Sequence, residues 1–179
     1  MAMKIILAVT SGITALLLQA TLIGPLSFPV PVSLPLLLVA VVAIYAGPGV
    51  GVGMGFSIGL VADLGSDHPA GVQALCWLGA GALAGIVGGL LARRGFAVRQ
   101  IAAVAALICA LTQAVCTLLL TVLDSHGASL LLAVRDTVPV ALMDSLLALA
   151  LVPIVAAVLR VYGVRAPRAL PATGGYRGA

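Results

Sequence analysis

Charge is what this sequence has least of. Only 8% of its 179 residues are Asp, Glu, Lys or Arg, against roughly a quarter in an ordinary soluble domain. A water-soluble fold needs polar residues to cover its surface, so this composition excludes one. With 63% hydrophobic residues and a mean hydropathy of +1.28, most of the surface must face something as apolar as the core, namely lipid. Aromatic rings are scarce too: three Phe, three Tyr and one Trp leave little to build a ring-lined ligand pocket. The three cysteines, Cys76, Cys109 and Cys116, all fall inside apolar runs, which excludes a secreted disulfide framework. Cys109 and Cys116 are spaced to share a helix face, and their plainest reading is as small buried hydrophobes.

What is there is apolar sequence in lengths that cross a bilayer, about 20 residues each. The spans fall at about 4–23, 34–47, 49–65, 70–92, 100–122 and 137–160. The second and third form one apolar stretch broken by Gly47-Pro48-Gly49, a strong turn signal, and read as a tight helical hairpin. The first begins with a single lysine and stays apolar for longer than a signal-peptide core, so it reads as a retained span. The fold class is therefore an all-α integral membrane protein: a six-transmembrane-helix bundle in one domain, residues 1–162. The tail 163–179, RAPRALPATGGYRGA from Arg165 onward, is rich in Gly, Pro, Ala and Arg and reads as a disordered basic cytoplasmic segment.

The net charge of +4 does not signify nucleic acid, because the charges sort by side of the membrane. With both termini cytoplasmic, Lys4, Arg93, Arg94, Arg99, Arg160, Arg165, Arg168 and Arg177 lie inside and Arg135 alone outside, as the positive-inside rule demands. The loop 24–33, with its prolines, then covers the outer face.

Two rows of glycine stand out. Gly47, Gly51, Gly55 and Gly59 recur every fourth residue in the third span, and Gly81, Gly85 and Gly89 do so in the fourth. Glycine lets helix backbones approach closely where lipid gives little drive for association. The partner is either another helix of this chain or the transmembrane helix of a second protein, and a second copy of the chain is among the partners such a face could take. The third span carries no charge before Asp63, so it is expected at the centre of the bundle.

The octet ADLGSDHP, Ala62 to Pro69, concentrates Asp63, Asp67 and His68 in a chain with five acids and two histidines. The topology makes it the outer turn between the third and fourth spans. Asp63 ends one helix, Asp67 is placed to cap the next, and Pro69 suits its first turn. Catalytic readings fare poorly. GFSIG at Gly55 to Gly59 matches a nucleophile elbow, but that motif needs a strand before a sharp turn, and Ser57 sits in an apolar helical run. Asp67, His68, Asp124 and His126 share the outer loops and could ligate a metal, yet no ligand-type spacing accompanies them. Asp144 is the one acid well inside a span. With only Gln19, Gln73 and Gln113 as polar companions, it reads as a structural hydrogen-bonding group above Pro153 rather than a proton relay. No catalytic residue, cofactor or metal is expected.

The run PLLLVAVVAIYAGPGVGVGMGFSIGLVADLGSDHPAGVQALCWLGAGALAG resembles the rod shape-determining MreD family, especially its high-GC, actinobacterial-type members. There a Leu-rich span, a G-P turn, a Gly-rich span ending in Asp-Leu, a small loop with His-Pro and Gly, and a further span follow in this order. RDTVPVALMDSLLALALVPIV looks like the family's last span. The resemblance covers about residues 10–160, and Asp63, His68, Gly71 and Asp144 match its pattern best. The chain departs from it at Ser33-Leu34-Pro35, where an acid is common, and at Met143, where an aromatic is.

The resemblance implies a non-enzymatic subunit of the bacterial elongation complex, in the cytoplasmic membrane, serving side-wall peptidoglycan synthesis. Implied partners are MreC through its transmembrane helix, the RodA glycosyltransferase with a class B penicillin-binding transpeptidase, and the MreB filament. The family's fold is similar to the substrate-binding subunit of energy-coupling-factor vitamin transporters, which supplies the rival function. That rival calls for a docking site of the A-x-x-x-A kind in the first span, where the chain offers Ala8-x-x-x-Gly12. A small metal-dependent membrane enzyme is the third reading, resting on the outer Asp/His set alone.

Overall fold

The computed structural model describes residues 10, 12–15, 17, 19, 21, 33–65, 71–94, 97–123 and 130–161. Every element among them is helical. The described positions within 10–21 belong to α1; α2 is Leu34–Ala46, α3 Pro48–Leu64, α4 Val72–Arg94, α5 Val98–Leu123 and α6 Leu130–Val161. By length and composition, α4 over Val72–Ala92 and α5 over its whole length can cross a membrane, and α2, α3 and the Leu146–Val158 part of α6 are shorter apolar helices.

The hairpin between α2 and α3 has no loop at all. Gly47 is its only non-helical residue, with φ at +96°, a left-handed value that favours glycine. Its N–H closes α2 on Ala43 O, and its carbonyl accepts from Gly51 N to open α3. Pro48 follows as the first residue of α3, where its fixed φ fits and its missing N–H costs nothing.

The centre of the bundle is α2, not α3. Leu36, Val39, Ala40 and Ala43 are wholly buried, and from Pro35 to Tyr45 only Leu38 is even partly exposed. α2 contacts α3, α4, α5 and α6. α3 instead turns Phe56, Leu60, Val61 and Leu64 outward. Freedom from charge could not tell the two apart, because a lipid-facing surface and a protein-facing one are equally apolar. Length separates them: α2 has thirteen residues and α3 seventeen, and an apolar helix of about 10–14 residues is more often a buried core helix.

Around α2 the remaining helices form two pairs, α3 with α4 and α5 with α6, each more closely packed than the seam between α4 and α5. α6 begins at Leu130, earlier than the span expected from 137, so Pro139 lies inside it together with Pro153. Leucine and alanine extend the helix past the apolar window, and a proline within a membrane helix is tolerated where neighbours satisfy the freed carbonyl. Outward-facing side chains form a continuous apolar belt: Leu83, Ile86 and Leu90 on α4, Leu107, Leu111 and Val115 on α5, Leu142, Leu146 and Leu149 on α6. So large an exposed apolar surface suits lipid and not water. Exposed hydroxyls bond back to their own helix, as Ser57 does to Gly53 O at 2.8 Å and Thr14 to Thr10 O at 2.8 Å.

Candidate functional site

The polar centre of the described structure is Asp63, in the last turn of α3 and 2% exposed. An acid so deeply buried needs partners, and Asp63 finds them on the next helix. Its Oδ2 accepts from Gly71 N at 2.9 Å and from Ala74 N at 2.9 Å, and its Oδ1 accepts from Gln73 N at 3.1 Å.

Those donors are the N–H groups that the start of α4 cannot satisfy itself. Gly71 precedes the first helical residue, Val72, and its carbonyl accepts from Leu75 N at 3.0 Å. It therefore stands at the N-cap, where Ser, Thr, Asp or Asn would ordinarily supply the side-chain oxygen. Glycine has none. Its φ of +100° suits that residue, and the missing oxygen arrives from Asp63 of the preceding helix. The positive end of the α4 dipole adds to the attraction. The sequence pattern points to Asp67 for this capping task. Asp67 and His68 lie outside the described residues, as do Asp124 and His126, and the α4 donors are met by Asp63. The missed signal was an N-cap glycine eight residues after an acid that closes the preceding helix.

Below this cap, α3 and α4 run antiparallel in close contact. A Cβ placed on Gly59 would lie 2.6 Å from Ala74 Cα, one on Gly55 2.7 Å from Trp77 C, and one on Gly51 2.8 Å from Gly81 C. Gly85 continues the row against Gly47 and Pro48, so partners descend α4 as they ascend α3. This row belongs to the chain's own packing. Two predicted members do something else: Gly47 makes the turn, and Gly89 faces open space while its neighbour Gly88 meets Ile44 of α2. Gly12 of α1 sits against Ile58 and Met54 of α3, so it is used within the chain, and Ala8 lies outside the described residues.

Asp144 lies in α6 between Pro139 and Pro153. Of its sequence-predicted companions, Gln73 is engaged at the cap through its backbone N–H, Gln113 is half-buried on α5, and Gln19 Oε1 is buried with no hydrogen-bond partner among the described residues. Ser57, the would-be nucleophile, is exposed on a continuous helix. No group of three or more His, Cys, Asp or Glu that could hold a metal ion occurs among the described residues. The arrangement positions helices: a buried carboxylate locks the top of a glycine-lined helix pair.

The chain matches the family model described as rod shape-determining protein MreD over residues 2–162. No curated protein and no solved structure matches it. Because the match takes in all six helices together with the Asp63 turn, this apolar helical chain belongs to the MreD family and is a membrane protein with a role in rod shape determination.

Proposed function

We propose that the protein is a non-enzymatic scaffold subunit of the elongation complex. It spans the cytoplasmic membrane six times with both termini inside, and it supports side-wall peptidoglycan synthesis by binding MreC and associating with the complex of the RodA glycosyltransferase, its class B transpeptidase and the MreB filament. The observation that carries this reading is the use made of Asp63. Asp63, a buried acid, is bonded to three backbone N–H groups, a structural task. The orientation is supported by Arg93, Arg94 and Arg99, which fall at the end of the bundle opposite the Asp63 turn.

Purification of the tagged full chain from its host membranes tests the proposal. Copurified MreC, retained in detergent and without a stoichiometric small molecule, is the expected result. A bound vitamin at one per chain would replace this reading with the transporter subunit, and a bound zinc ion with the metal-dependent enzyme.

A further inference from the structure

Cys76 on α4 and Cys116 on α5 are both buried, at 9% and 5% exposure, and belong to one core cluster, where their thiols come within hydrogen-bonding reach of each other. A thiol is a weak donor and a weak acceptor, so this contact contributes little to stability as it stands. Its chemistry is of more interest, because it sets two sulfurs side by side from two different helices. Spacing alone pairs Cys109 with Cys116, but those two lie about 10 Å apart along one helix, too far to be joined.

The pair also sits at a particular place. Cys76 is about 6 Å along the axis from Val72, the first residue of α4, and Cys116 about 10 Å from Leu123, the last of α5. Both are in the half of the bundle that carries the Asp63 turn. They face each other across the α4–α5 seam, which is the less extensive contact between the α3–α4 and α5–α6 pairs.

We propose that Cys76 and Cys116 form an oxidisable pair, closing to a disulfide within the native bundle and tying one helix pair to the other. Each thiol gives up its proton, the sulfur–sulfur bond forms, and two electrons leave. The acceptor is a two-electron oxidant that dissolves in the bilayer: a quinone departs as the hydroquinone with both protons, and iodine as two iodide ions with the protons released. A water-soluble disulfide is the wrong oxidant here, since it must reach a sulfur directly and both sulfurs are buried within the bundle.

The test treats membranes containing the full chain with molecular iodine, denatures them, and counts remaining thiols by the gel shift from a polyethylene-glycol maleimide. Two of the three thiols are expected to vanish and to return on reduction, with the chain still monomeric on a non-reducing gel. Cys109→Ser is expected to lose both of its thiols in the same way, whereas Cys76→Ser and Cys116→Ser keep both of theirs. Three thiols persisting after iodine, in a sample whose elution volume matches the folded protein, would overturn the proposal. So would loss of a thiol pair in Cys76→Ser, or a cross-linked dimer in place of the internal bridge.

Discussion

Gly51 of α3 and Gly81 of α4 meet backbone to backbone: a Cβ added to either would run into the carbonyl of the other. Neither glycine can accept a methyl group without parting the helices, so Gly51→Ala and Gly81→Ala are each expected to lower stability by about 1–3 kcal/mol, as overpacking does. Gly53, two residues along α3, has open space where a Cβ would stand, with nothing within 4 Å. There Gly53→Ala is expected to be neutral or to stabilise by up to about 1 kcal/mol through helix propensity. Thermal unfolding in detergent separates the cases, and equal melting temperatures for Gly51→Ala and Gly53→Ala would contradict this crossing.

Asp63 presents a graded series. Asp63→Ala removes all three acceptor contacts to the start of α4, leaving N–H groups without their partner, at a cost of about 2–3 kcal/mol. Asp63→Asn keeps one oxygen, which can serve Gly71 and Ala74 as Oδ2 does, and its loss should be about half as large. Hydrogen exchange at Gly71, Gln73 and Ala74 reads the same effect locally, with faster exchange expected in both variants and fastest in the alanine one. Unchanged exchange at these three amides would show that the cap lies elsewhere.

Much of this was legible beforehand. The Gly-Pro-Gly interruption announced the hairpin, and the four-residue glycine rows announced a close helix pair, since both signals depend on local backbone geometry. The centrality of α2 was not legible from composition, because residues such as Leu36 and Val39 look alike whether they face lipid or protein. The role of Asp63 was half legible. An acid at a helix end is easy to see, but that it serves the following helix depends on how α3 and α4 come together, which no local pattern encodes. A strict four-residue count selects Gly89, whereas the helix's 3.6-residue turn carries the packing face onto Gly88.

The central position of α2 makes a prediction about its side chains. Leu36 is wholly buried among its neighbours, whereas Leu83 on α4 is 56% exposed to the lipid side. Leu36→Ala leaves a cavity inside the bundle and should cost about 2–5 kcal/mol. Leu83→Ala exchanges one lipid contact for another and should change stability by less than about 0.5 kcal/mol. Comparable losses at the two positions would mean that α2 is itself exposed to lipid.

The orientation of the bundle can be read with two added cysteines. Gly65, just after α3, and Ala97, just before α5, are both exposed and lie at opposite ends of α4. A Cβ at Gly65 meets only Ala62 O at 3.7 Å and Val61 O at 3.9 Å, so a side chain fits there. The native cysteines are buried and should stay unlabelled in the folded protein. If the arginines at 93, 94 and 99 hold their end of the bundle inside, Gly65→Cys reacts with an impermeant maleimide in intact spheroplasts, and Ala97→Cys reacts only after lysis. The inverse pattern would turn the protein over and place the Asp63 turn in the cytoplasm. Labelling of both positions before lysis would mean that α4 does not cross the membrane between them.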